Sequence, residues 1–282
     1  MNANRKDGPF PARWANSWRA SALAVLALSL AACVGQGESA STTDGIVYGE
    51  AVPLGDGVVR TFVRLEGTVP VEIGVALSPG ALEGLPVDGA PGGITMPDGH
   101  STFEIALGMP DGHGTPFRHA TVDWNPAGHE PPGVYDLPHF DFHFYTIELH
   151  ERHRIDPADP EFMQKGMRAP ESPYVPAGFV LPEASPVPFM GAHWVDPTSP
   201  ELQDPPETFT HTFLYGSWDG RIVFAEPMVT KAFLESRTAV RAPIGVAERY
   251  DPAGYYPAAY EIRWDEGAGE YRVSLTELAW RE

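Results

Sequence analysis

"PHFDFHFY", residues 138–145, sets His139, Asp141 and His143 at every second position, with Phe140, Phe142 and Phe144 between them. Successive side chains of a strand point to opposite faces. The stretch therefore reads as a strand with a phenylalanine face for a core and a histidine–aspartate face that is either solvated or a metal site. Same-face neighbours lie about 6.6 Å apart and next-but-one neighbours about 13 Å apart. Ligand bonds are about 2.0–2.2 Å long, so His139 with Asp141, or Asp141 with His143, can share an ion. His139 and His143 together are at the limit of reach unless the strand bulges.

Such a pair must be completed from elsewhere, and three completions are available. His129 lies in a Gly/Pro-rich loop ten residues upstream of His139. His119 and Asp123 share a face of the next strand, "HATVDW". His193, in "GAHW", can descend from a proline-rich cover, with Glu226 at the end of a strand as a carboxylate donor. Eight of the ten histidines fall between residues 100 and 153 and the chain has one cysteine, so any metal is held by His, Asp and Glu. Zn²⁺ heads the expected order of ions, followed by Cu²⁺ or Ni²⁺.

Period-two alternation recurs outside this strand. Val59, Thr61 and Val63 alternate with Arg60 and Arg64, and Val71, Ile73, Val75 and Leu77 repeat the pattern. "TFTHTFLY-GSWDG-RIVFAE" reads as a hairpin, and "YEIRW" and "YRVSL" as another within 258–280. Twelve prolines between residues 156 and 206 predict a long cover loop rather than sheet. Short helices are expected near 160–166 and over 228–236, the second opened by Pro227 in its first turn. The expected fold is mainly β: an antiparallel β-sandwich or a barrel-like jelly roll, forming a single domain over 45–282.

The first 32 residues read as an address. Arg5, Lys6, Arg13 and Arg19 precede an apolar run from Ala22 to Leu30, too short to stay as a membrane span. "LAAC", ending at Cys33, resembles the lipobox of bacterial lipoproteins. That resemblance implies acylation of Cys33, a membrane anchor and a polar tether over 33–44. Val34 after the cysteine implies the outer membrane where the organism has two membranes. Without residues 1–32 the chain carries 15 Lys and Arg against 37 Asp and Glu, a net charge near −22, which argues against nucleic acid as a partner. Self-association and a small-molecule ligand stay open.

"GVALSPGALEGLP", "VDWNPAGHEPPGVYDLPHFDFHFY", "GAHW" and "FLYGSWDGRIVFAEPMVTKAFL" together resemble an uncharacterised bacterial family catalogued as domain of unknown function 5602. The likeness runs over about residues 45–236 and implies an exported, β-rich protein; it supplies no activity. Two enzyme readings compete. His139-x-Asp141 followed by His211 and Arg221 imitates the facial triad and arginine of Fe(II)/2-oxoglutarate oxygenases. A hydrolytic zinc enzyme needs three ligands, an open position and a base such as Glu130 or Glu148. No nucleophile elbow or phosphate loop occurs. The reading that results is an exported, lipid-anchored protein binding a transition metal, with an envelope metalloenzyme as the alternative and a metal-free structural or assembly protein as the third.

Cys33→Ser should move the protein from the detergent-soluble membrane fraction to the soluble exported fraction, or leave it uncleaved. A variant that stays with membranes and is normally processed contradicts the lipobox reading.

Overall fold

The computed structural model describes residues 45–96, 99–183 and 186–282; Cys33 and the stretches that read as an export signal and a tether lie outside them. In chain order the strands begin β1 (Gly45–Tyr48), β2 (Val52–Leu54), β3 (Gly57–Glu66), β4 (Val69–Leu77), β5 (Ile94–Thr95), β6 (Ser101–Gly108), β7 (His119–Asn125) and β8 (His139–Tyr145). Helices α1 (Leu149–Arg152) and α2 (Phe162–Gly166) follow, then β9 (Ala192–Trp194), β10 (His211–Trp218), β11 (Arg221–Thr230) and α3 (Lys231–Glu235). The chain ends with β12 (Val240–Pro243), β13 (Gly254–Tyr256), β14 (Ala259–Asp265), β15 (Glu270–Thr276) and β16 (Ala279–Arg281).

The strands form two seven-stranded antiparallel sheets and one small ribbon. One sheet runs β1-β3-β4-β15-β14-β12 with β2 also on β3; the other runs β5-β6-β7-β8-β11-β10-β9; β13 pairs β16. A single buried apolar cluster joins the two sheets. Val63, Ile73, Val75, Val273 and Leu275 come from the first, and Val122, Phe140, Phe142, Phe144, Ala225 and Val229 from the second. This is the mainly β, sandwich-like architecture that the alternation implies, with short helices.

Turn chemistry sets the register of the central hairpin. Trp218 pairs Arg221, so the loop is Asp219-Gly220, both at positive φ, as a two-residue hairpin turn demands. Pro227 does not open a helix. It lies inside β11 opposite Phe213, because alternation persists through it: Ala225 and Val229 pack in the core while Phe224, Glu226 and Met228 face the other way. The helix starts later, at Lys231, where the Thr230 hydroxyl caps it by accepting from the Phe233 N–H at 3.2 Å. Pairing with β8 is recorded on either side of the proline, at Ala225↔Phe144 and Met228↔Asp141, as its missing N–H requires.

The second face of β8 is not a solvated surface, which corrects one of the two readings of the strand. His139 and His143 are 0% exposed and Asp141 is 4% exposed. Segments around Tyr135, Ile147, Ile155, Phe162 and Phe209 roof this face. Two small apolar clusters hold the roof down, one of Tyr145, Ile147, Ile155, Phe162, Val223 and Phe224, the other of Tyr135, Phe209, Leu214 and Met228. Arg152 of α1 is buried there and clamps the roof to the sheet. Its guanidinium pairs both carboxylate oxygens of Glu104 on β6 and donates from Nε to the Phe189 carbonyl at 3.1 Å.

Phe142 stands on the opposite, core-facing side with no exposure. Phe142→Ala should destabilise the fold by about 3–5 kcal/mol through the cavity it leaves, read by urea unfolding. A loss below about 1 kcal/mol, the scale of surface changes, would contradict the two-layer packing.

Candidate metal centre

Strand pairing places the polar side chains in rows. β7 aligns Asn125 with His139, Asp123 with Asp141 and Thr121 with His143. On the other side the register puts Glu226 of β11 beside His143. Two carboxylates directly opposite one another, Asp123 and Asp141, would repel; each is instead engaged by a histidine. Asp123 Oδ2 lies 2.9 Å from His143 Nδ1, and Asp141 Oδ1 lies 3.2 Å from His139 Nε2.

The roof adds the remaining donors. His129 descends from the 126–138 loop to put Nε2 3.2 Å from Asp141 Oδ2. The loop is tied by the His129 N–H donating to the Tyr135 carbonyl at 3.2 Å. Gly128 makes that closure feasible: it sits at φ +76°, and a Cβ there would be 2.2 Å from the Tyr135 carbonyl oxygen. His193, expected on the proline-rich cover, sits on β9 at the sheet edge and reaches across β10 to put Nε2 3.5 Å from Glu226 Oε2. The residue between them is Gly216, paired with both His193 and Phe224. A Cβ at 216 would be 1.9 Å from the Phe224 ring, the ring that packs 4.8 Å from His143 and 5.2 Å from His193.

The six candidate ligands thus form two groups of like composition. His129, His139 and Asp141 make one, and His143, His193 and Glu226 the other; within each, one donor atom per residue lies within 4.8 Å of the others. These are the groups of three found among the described residues that can hold a metal ion. His139 and His143 fall in different groups, as the spacing along an unbulged strand dictates.

Apart from the His129–Asp141 hydrogen bond, the facing donor atoms approach one another without bonding. His139 Nε2, Asp141 Oδ1, His143 Nε2 and Glu226 Oε2 are all buried and have no hydrogen-bond partner, although 3.2–3.5 Å separates the facing atoms. Distance without alignment is what lone pairs aimed at a shared third point give. The other ring nitrogens are occupied in the way metal-bound histidines require. His139 Nδ1 lies 2.6 Å from the Leu137 carbonyl, His129 Nδ1 2.7 Å from the Glu130 carbonyl, and His143 Nδ1 against Asp123. The Asn125 side-chain amide donates to Asp141 Oδ2 at 2.7 Å and fixes that carboxylate.

In the metal-free chain this cluster holds protons. Burial opposes charge on His129, but the adjacent Asp141 outweighs it and lifts the ring to about 9. His143 is also lifted to about 9, by Glu226 and Asp123 against burial. Burial drives the Glu226 carboxyl up to about 8, with His143 pulling the other way. Asp141 resists burial and stays well below the usual carboxylate range because His139 and His129 flank it. Burial, then the nearby cations His143 and His129, depress His193 to about 3. The protons belong to the cluster as a unit.

Other sequence candidates lie elsewhere. His119 shares the polar face but stacks on Tyr145, with ring centroids 4.7 Å apart. Glu130 and Glu148 are exposed, and Glu148 caps α1, so neither is a buried base. The oxygenase-like set is not assembled: His211 Nδ1 bonds the Tyr260 hydroxyl at 2.8 Å. Arg221 lines a separate cavity of about 310 Å³, which none of the six residues lines. Sequence reasoning overlooked Tyr135 and Glu201. Both are buried, with an unpartnered Tyr135 hydroxyl and an unpartnered Glu201 oxygen. Burial first, then the fields of Glu201, Glu226 and Asp141, hold the Tyr135 phenol above its ordinary pKa. No spacing signal marks either residue.

A family model described as "TTHB210-like: Hypothetical protein TTHB210" matches residues 69–124. Over that stretch, which ends within β7, the chain is similar to an uncharacterised family. No curated protein and no solved structure matches the chain.

The cluster makes stability depend on pH in a defined direction. His129 and His143 bind protons more tightly in the folded chain, so their contribution is complete below the ordinary imidazole pKa of about 6.5. It is lost as pH climbs through about 9. Glu226, raised to about 8, has the same sign. The urea midpoint of chelator-treated protein should therefore fall between about pH 7 and about pH 9, and added zinc should reverse the fall. A midpoint that rises over this interval without metal contradicts the assignment.

Proposed function

We propose that the protein is an exported, lipid-anchored member of the uncharacterised family catalogued as domain of unknown function 5602. Its work is to hold a transition metal, zinc first, on the His/Asp face of β8. The observation that carries the metal reading is the set of four buried, unpartnered donor atoms in two groups, each of two histidines and one carboxylate. An ion at either centre satisfies atoms that otherwise carry the full cost of lost hydration, about 1–3 kcal/mol each.

Donor chemistry supports zinc. Imidazole and carboxylate suit Zn²⁺; carbonyl and carboxylate acceptors fix the rings of His129, His139 and His143, and the Asn125 amide donates to Asp141. No soft thiolate is available to favour Cu(I), since the one cysteine is Cys33. Lipid anchoring rests on "LAAC" after the apolar run, and export on the basic residues before it. The role that fits is metal binding or metal-dependent recognition at the cell envelope, facing the periplasm or the surface.

Zinc titration of the tag-free chain after chelation should give about two ions per chain, one for each group. Asp141→Asn should weaken the first centre, and Glu226→Gln the second, each by tenfold or more, with the other centre retained. Binding should weaken towards about pH 5.5, where protons displace the ion from imidazole. No uptake by the wild-type chain, or equal uptake by all three proteins, would overturn the reading.

A further inference from the structure

The first centre offers three protein donors, His129, His139 and Asp141. Structural zinc takes four protein ligands, whereas three leave a position for water or another exogenous ligand. Among the described residues no fourth His, Asp or Glu joins this group. Asn125 presents its amide N–H to Asp141 Oδ2 at 2.7 Å, and its carbonyl oxygen accepts from the Thr102 hydroxyl at 2.6 Å. Phe209 closes the site edge-on to His139, at a centroid distance of 5.4 Å. His129 is half-buried, its side chain 22% exposed, so this ring is the part of the centre nearest to solvent.

Beside this centre stands Tyr135, with 3% exposure and an unpartnered hydroxyl. Its ring packs 5.9 Å from His129, 6.5 Å from His139 and 5.0 Å from Phe209. The loop that delivers His129 also delivers Tyr135, through the backbone bond between the two. A buried hydroxyl without a well-formed hydrogen bond costs about 1–3 kcal/mol; its ring neighbours offer no acceptor, and the carboxyl of Glu201 is the acceptor close to it. The carboxylates whose fields act on it are Glu201, Glu226 and Asp141.

We propose that the centre formed by His129, His139 and Asp141 keeps one coordination position for a small oxyanion, a carboxylate, and that the Tyr135 hydroxyl donates a hydrogen bond to that ligand's oxygen. The inference rests on the metal reading of the same site and adds to it a ligand class and a binding residue. The metal supplies positive charge to one oxygen, and the phenol, protonated at neutral pH with an ordinary pKa of about 10, supplies a neutral donor. A neutral donor beside Asp141 avoids burying a further charge, which an arginine in the same place would add. Glu201, with its own unpartnered buried oxygen, is the competing acceptor for the phenol.

The test uses Co²⁺ as a spectroscopic stand-in and acetate as the probe. The mature tag-free chain is loaded with Co²⁺, uptake is quantified, and acetate is titrated at constant ionic strength while the visible absorption is followed. The Glu226→Gln chain, loaded at the first centre alone, is run in parallel to assign the change. Acetate should shift the Co²⁺ bands saturably in both. Tyr135→Phe, which keeps the ring, should take up Co²⁺ with unchanged stoichiometry and a thermal midpoint no lower than wild type, but need about tenfold more acetate, the loss expected for one hydrogen bond to a charged group. Glu201→Gln should leave acetate binding near wild type. Bands that ignore acetate would show a closed centre and overturn the proposal. Equal acetate affinity in wild type and Tyr135→Phe would return the hydroxyl to Glu201, and loss of Co²⁺ from Tyr135→Phe would make it a ligand; either also overturns it. Failure of the wild type to bind Co²⁺ would instead sink the metal reading beneath it.

Discussion

Asp141 is a carboxylate held ionised in a place where water cannot reach it, and the architecture around β8 follows from that constraint. Burial alone would neutralise it. His139 and His129 keep it charged, one from its own strand and one from the roof, while Asn125 fixes an oxygen from β7. A second set repeats the arrangement one same-face step along, where Asp123 and Glu226 bracket His143. An isolated buried ion pair is at best neutral for stability, because desolvation consumes what attraction returns. A cluster of this size could hold an ion in each group of three, which would draw on the donors of that group together.

The roof serves that cluster. Two apolar patches flank it, and the Arg152–Glu104 pair latches α1 to β6. The segments that must approach closely do so at residues without a Cβ, Gly128 under Tyr135 and Gly216 under Phe224. The centre is thus built on a rigid sheet and finished by loops, a division that holds ligand geometry fixed while leaving His129 and His193 nearest to solvent. The phenylalanine face of the same strand is the core of the sandwich, so one eight-residue segment anchors both the fold and the site.

Much of this was legible in the sequence because period two is unambiguous where phenylalanines alternate with ionisable residues. The spacing rule alone separates His139 from His143 into different centres, and the structure places them so. What spacing cannot show is whether a polar face meets solvent or a roof, because that depends on loops whose prolines carry no periodicity. His193 illustrates the gap: "GAHW" looks like cover but is a short edge strand, recognisable only once Gly216 is seen to clear its path. Pro227 misled in the other direction. Its first-turn preference pointed to a helix, and the apolar alternation on either side overrode it. Tyr135 and Glu201 had no signal, since their importance lies in being buried without partners. The family similarity over residues 69–124 ends before the strand that carries three of the six donors.

The most direct measurement is diffraction from crystals of zinc-loaded protein, with data collected on either side of the zinc absorption edge. The account predicts anomalous peaks at two places under the roof. One lies about 2.0–2.2 Å from Nε2 of His129 and His139 and from an Asp141 oxygen, and the other at the same distances from His143, His193 and Glu226. Peaks confined to surface carboxylates, with the buried histidines and acids hydrogen-bonded directly to one another, would contradict it.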